Sequence, residues 1–175
     1  MRNFFGHLST VIKHRKKVIY HCYKVGILHR GLLHDLSKYS PTEFIQGVQN
    51  FIGSKSPNEG EREKKGYSEA WMHHKGRNRH HFEYWTDYNP KTKLIEPVKM
   101  PLVFVKEMFC DRVAASKVYQ GKNYTNAHPL TYFEGGKSRR KIHKDTSDLL
   151  ENWLLMLKEQ GEEKTFRHIK SVKKY

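Results

Sequence analysis

His34 and Asp35 set an imidazole and a carboxylate side by side at the end of the apolar turn Gly31-Leu32-Leu33. Such a pair can share one divalent cation if a helix end turns both inward. The same chemistry recurs in His73-His74-Lys75-Gly76-Arg77-Asn78-Arg79-His80-His81-Phe82-Glu83, where two His doublets stand seven residues apart. That spacing presents His73 with His80, or His74 with His81, to one side. At least one His of each doublet is a candidate metal ligand, and His74 and His81 are taken as the pair. The competing reading is an anion- or RNA-binding strip carrying Arg77 and Arg79 and flanked by Trp71, Tyr84 and Trp85. Upstream, His7, His14 and His21 recur every seven residues beside Val11, Val18 and Val25; taken singly, each reads as a satisfied core or boundary residue. Asp111 sits among Val105, Met108, Phe109, Val113 and Ala114, where an unpaired carboxylate is costly. A cation would explain it, as would a salt bridge to Arg112 or Lys106. Twelve histidines against two cysteines make any metal chemistry one of imidazole and carboxylate rather than thiolate.

The segment Gly31-Leu32-Leu33-His34-Asp35-Leu36-Ser37-Lys38 resembles the signature of the HD superfamily of metal-dependent phosphohydrolases. That signature joins an upstream His, the His-Asp doublet in a context like LLHDxxK, and a distant Asp. His14 with Val18 is similar to the opening His-x-x-x-Val, and Asp111 followed by Ala115 is similar to the late helix. His80-His81 with Glu83 resembles the His-His-Glu element of members that hold more than one metal. The order HLSTV, HDLSKYSP and AWMHHKGRNRHHFEYW is also similar to a bacterial family known by its pattern rather than by an activity. The resemblance implies that His14, His34, Asp35 and Asp111 hold a divalent metal (Mn, Fe, Co, Ni or Zn). A second ion would be bridged through Asp35 and held by His74 and His81. Asp35 and Lys38 are then the catalytic candidates, and Lys38 and Arg77 the contacts to a small anionic, phosphorylated substrate. The Gly-Tyr-Pro loop of the cyclic-dinucleotide branch is absent, which argues against that substrate.

These residues must be positioned by helices. Apolar positions at helical spacing predict helices near 5–25, 27–36, 41–52, 67–85, 102–119 and 144–160. Gly26 ends the first, and Ser40-Pro41 opens the third with an N-cap and a proline at the first helical position. Residues 53–66 read as a loop, 87–101 as a connection with a short extended piece at 93–95, and 121–136 as a linker with one short helix. The expectation is an all-α, single HD-type domain over 1–160, followed by a basic, fraying tail over 161–175.

A chain of 175 residues fits one domain, and its formal net charge of +15 favours anionic partners: nucleotides, nucleic acid or an acidic protein. A solvated lysine-rich surface accounts for that charge equally well. There is no run of about 18 apolar residues, so a spanning helix and a membrane role are not expected. The N-terminus lacks a signal-peptide core, which points to the cytoplasm. Cys22 and Cys110 read as two small buried hydrophobes. The favoured function is a metal-dependent phosphohydrolase acting on a nucleotide or other small phosphorylated substrate. The rivals are a catalytically silent HD-like module binding nucleotide or RNA, and a di-iron HD-type oxygenase.

Overall fold

A computed structural model describes residues 2–175. Helix α1 (Arg2–Lys24) carries His7, His14 and His21 on its buried face with Val11, Val18 and Val25 just beyond its end. Gly26, at φ 80°, reverses the chain into α2 (Leu28–Leu33), which packs back along α1. Here the expected helix over 27–36 stops early. Asp35 takes the left-handed conformation (φ 53°), and a 3-10 turn, Leu36–Tyr39, follows. Ser40 then caps α3 (Pro41–Gln49), its hydroxyl accepting from the Glu43 amide at 3.4 Å.

Residues 53–66 correct the sequence reading, since α4 (Pro57–Lys65) occupies most of that segment. Periodicity misses it because it has almost no apolar face. Pro57 opens it, Glu59 lies in its first turn, and Arg62, Lys64 and Lys65 in its last, which suits the helix dipole. Polar ties anchor it: buried Glu61 accepts from the Ser68 hydroxyl at 2.6 Å and from the Glu69 amide at 3.2 Å. Helix α5 (Glu69–Arg77) is shorter than the predicted 67–85. The Asn78 side chain donates to the His74 carbonyl at 2.9 Å and to Ser37 Oγ at 2.7 Å, and the chain turns there.

Two short antiparallel strands, β1 (Thr86–Asn89) and β2 (Leu94–Pro97), form a hairpin where only an extended piece at 93–95 was expected. Helix α6 (Leu102–Gln120) runs through the centre with Val105, Phe109, Cys110, Val113 and Ala114 fully buried. Cys22 and Cys110 are free and buried, as expected. After α7 (His128–Glu134), helix α8 (Lys144–Ser171) closes the domain, broken at Gly161 (φ 79°, ψ 172°). The segment 161–175 is therefore not a fraying tail. Thr165, Phe166 and Ile169 are buried, and Phe166 packs on Phe109 and His21. The molecule is one predominantly α-helical domain. No helix among the described residues is long and apolar enough to cross a membrane.

Candidate metal centre

Four elements bring polar groups to one point beside α6. From α1, His14 Nε2 lies 3.0 Å from Asp111 Oδ1 and 4.0 Å from Asp35 Oδ2. The break after α2 delivers His34, whose Nε2 is 3.4 Å from Asp35 Oδ2 and 3.7 Å from Asp111 Oδ1. The left-handed backbone at Asp35 turns its carboxylate inward beside the preceding imidazole, a conformation Asp tolerates better than most residues. From α5, His74 Nε2 is 3.3 Å from Asp35 Oδ1. The turn beginning at Asn78 brings His80 Nε2 to 3.4 Å from the same oxygen and His81 Nε2 to 2.9 Å from His74 Nε2.

Three ligand groups result among the described residues: His14, His34 and Asp35; His34, His80 and Asp111; and Asp35, His74, His80 and His81. Within each, the candidate donor atoms lie within 4.8 Å of one another. Ligand bonds of about 2.0–2.2 Å put adjacent donors roughly 3.0–3.5 Å apart around one ion, close to the separations seen here. His34 Nε2, His80 Nε2 and Asp35 Oδ1 are buried without a hydrogen-bond partner in the protein. Orphaned atoms of this kind are what a cation satisfies. The residues therefore fit one divalent ion, or two bridged by Asp35, whose Oδ2 faces His14 and His34 while Oδ1 faces His74 and His80.

The outer nitrogens of these imidazoles are equally constrained. Buried Glu107 accepts from His34 Nδ1 at 3.0 Å, and its Oε1 also lies 3.2 Å from His80 Nδ1. Glu43 Oε2 accepts from His74 Nδ1 at 2.7 Å. The Nδ1 side of each ring being held, Nε2 is the nitrogen left to face the shared centre and to offer a lone pair to a cation once its proton is displaced. Arg30 Nε donates to the second oxygen of Glu107 at 2.8 Å.

Protonation follows from the crowding. Burial opposes a charged His34, yet Asp35, Asp111 and Glu107 together hold its pKa well above the ordinary 6.5. Burial likewise opposes charge on Asp35 and Asp111, but the adjoining imidazoles hold both carboxyls well below their usual range. Burial, then the neighbouring His80 and His74, pushes His81 well below 6.5. Seven polar side chains that otherwise divide a few protons could together serve as donors to a cation.

All six sequence-predicted ligands meet here: His14, His34, Asp35, His74, His81 and Asp111. His80 joins them and was not chosen, because both residues of the second doublet turn inward where the chain bends. His73 does not join; its Nδ1 pairs with Glu43 Oε1 at 2.7 Å. Lys38 faces the centre, with Nζ 3.3 Å from Asp35 Oδ2. Burial disfavours its charge, but Asp35, Glu43 and Asp111 more than compensate and raise its pKa. Arg77 is corrected: it is exposed, bonds to the His73 carbonyl at 3.3 Å, and lies outside the lining of the cleft. Asp111 pairs with neither Arg112 nor Lys106, whose ammonium donates to the Val172 carbonyl at 2.8 Å. Glu43 and Glu107 were missed altogether. Glu107 had a legible signal, since it precedes Asp111 by four residues in the same apolar helix and so shares its face.

The centre opens into a cleft of about 610 Å³ lined by Lys38, Asp35, His14, Asp111 and Trp71, among others. A space of this size accommodates a small organic ligand. A family model described as a family of unknown function (DUF5662) matches residues 3–156. No curated protein and no solved structure matches the chain.

Proposed function

We propose that this chain, which belongs to the DUF5662 family, is an HD-type, metal-dependent phosphohydrolase acting on a nucleotide or other small phosphorylated substrate. One observation carries the reading: the imidazoles of His34, His74 and His80 each hold a buried carboxylate on Nδ1 and aim Nε2 at a common centre on the cleft wall. The order His14, His34-Asp35, Asp111 supports the HD-type assignment. A bound divalent ion would supply Lewis-acid polarisation of a phosphoryl oxygen and a water of lowered pKa. Asp35, with one oxygen turned to each ligand group, would hold two ions in register. Lys38 keeps its charge beside Asp35 at the cleft and is placed to meet a phosphoryl oxygen, neutralising charge that grows during displacement. Glu107 and Glu43 hold the outer ring nitrogens and so would orient Nε2 towards a bound ion.

The test is elemental analysis of protein purified without chelator, followed by a phosphate-release screen over nucleotides. Asp35→Asn is the informative variant, because Asn also tolerates φ 53° and removes the charge without straining the backbone. Expected are stoichiometric transition metal and turnover in the native chain, with both lost in Asp35→Asn. Turnover that survives Asp35→Asn refutes the reading. No turnover, with RNA binding lost on changing Arg139 and Arg140, would favour the silent binding module. Asp35, which belongs to two of the ligand groups, would equally suit a mixed-valent iron pair. Iron as the sole metal, with a visible absorption band, would favour the oxygenase.

A further inference from the structure

Beyond its ligand Asp111, helix α6 continues along the cleft with Arg112, Ala115, Ser116 and Tyr119 on the wall. At 1.5 Å per residue, Asp111 to Tyr119 spans about 12 Å, longer than one phosphate needs. Arg112 is the residue next to the metal centre, and its Nε is buried without a partner in the protein. Arg140 reaches the same wall from the segment before α8. Its Nη1 donates to the Phe133 carbonyl at 2.6 Å, which holds the guanidinium in place. Both guanidinium carbons stand over the Phe133 ring, at 5.7 Å for Arg112 and 5.8 Å for Arg140.

Two cations share one aromatic platform, and the nearby acidic groups do not balance them. Asp111 is turned to His14 at 3.0 Å. Glu83, the other carboxyl near Arg112, faces Arg112, Lys75 and Arg140 at once, one carboxyl for three cations, and its buried Oε2 makes no hydrogen bond. Guanidinium forks match phosphate oxygens in pairs, and a buried unpaired donor is costly.

We infer that Arg112 and Arg140 form a second anion subsite that takes a non-reacting phosphate of the substrate. The cleft therefore selects a di- or triphosphate chain over a monophosphate. This rests on the phosphohydrolase reading for which phosphate reacts, but the subsite itself is a binding property. Asp111 and Arg112 line the same cleft, so one phosphate chain could reach both.

The experiment is calorimetric titration of the protein, with the metal it carries on purification, against inorganic phosphate, pyrophosphate and tripolyphosphate. Pyrophosphate also binds metal better than phosphate does, so the informative quantity is the change between variants. Arg112→Gln and Arg140→Gln should each weaken pyrophosphate about tenfold or more while leaving phosphate unchanged, as loss of a charge-assisted contact predicts. Arg112→Lys, which keeps the buried charge and guards against misfolding, should recover part of the affinity. Glu83→Gln should strengthen binding by removing a competing carboxylate. Pyrophosphate affinity unaltered in folded Arg112→Gln and Arg140→Gln would overturn the subsite. So would a short single-stranded oligonucleotide that binds tighter than tripolyphosphate and depends on Arg139 and Lys141 rather than Arg112. Phosphonoacetate binding more tightly than pyrophosphate would overturn the assignment to phosphate. Arginine-dependent binding without any phosphate release would sink the phosphohydrolase reading and leave the subsite standing.

Discussion

Glu107→Gln is the substitution that most directly probes how the centre is built. Glu107 is fully buried, accepts from His34 Nδ1 at 3.0 Å and Arg30 Nε at 2.8 Å, and lies 3.2 Å from His80 Nδ1. Burial opposes its charge, but the hydrogen bonds from His34 and His80 outweigh it and lower the pKa from 4.5 to about 2. It is thus an acceptor on both oxygens. Glutamine has one oxygen and one amide nitrogen, so one side must fail. If its oxygen faces the imidazoles, its NH2 meets the Arg30 donor and leaves that guanidinium unpaired. If the NH2 faces the imidazoles instead, their protons must move to Nε2 and point into the centre, where lone pairs are needed. Each lost charge-assisted bond costs about 1.5–3 kcal/mol. Loss of such an orienting partner typically lowers metal affinity about 10–100-fold. That range is about 1.4–2.8 kcal/mol, the size of one such bond. Competition against a chromophoric chelator, with Zn2+ and with Mn2+, reads this directly. The exposed Glu63→Gln, remote from the centre, serves as the control. An affinity for Glu107→Gln within roughly twofold of the native chain would mean that the outer hydrogen bonds do not set the ligand tautomers.

Other consequences follow from particular side chains. Burial lowers His21 from 6.5 to about 4, so the unfolded chain takes up its proton first and stability falls as pH drops from about 6.5 towards 4. At pH 5 this amounts to roughly 2 kcal/mol; urea midpoints at pH 7 and pH 5 should differ less in His21→Gln, and parallel behaviour of the two proteins would refute it. A Cβ on Gly47 would lie 2.2 Å from His7 Nε2, so Gly47→Ala should lower the melting temperature through about 1–3 kcal/mol of overpacking at the cleft wall. An unchanged melting curve would show that His7 moves aside freely. Gly161 at φ 79°, ψ 172° occupies a region essentially reserved for glycine, so Gly161→Ala should cost about 1–3 kcal/mol by thermal melting. A chain truncated after Gly161 should lose the native fold, because it lacks buried Phe166 and Ile169; a truncated chain melting like the full one would contradict this placement.

What could be read in advance depended on which force positions each residue. Helices α1, α3 and α6 bury apolar side chains at regular spacing, and their periodicity exposed them. Helix α4 is held by Glu61 and by charges suited to its dipole, so a search for apolar stripes passed over it. The segment 161–175 looked like a basic tail because its lysines outnumber its anchors, yet Phe166 and Ile169 reach the core once Gly161 redirects the helix. The ligands announced themselves as His and Asp in unusual runs. His80 was misjudged because choosing one residue per doublet presumed a continuous helix, and Asn78 ends that helix two residues earlier.

Glu43 and Glu107 escaped notice because each resembles an ordinary helical charge until its neighbours in space are known. They also change what the site is. Glu107 faces His34 of the first two ligand groups and His80 of the last two, while Asp35 belongs to the first and third. The loss of Glu107 would therefore disturb all three groups at once. The three candidate sites are better understood as one network of imidazoles and carboxylates, whose members share donors and acceptors and whose contributions will not add independently. Glu43 on α3 and Glu107 on α6 hold the outer nitrogens of rings delivered by α5 and by the turns after Leu33 and Asn78, so the packing of these elements also sets the geometry of the centre.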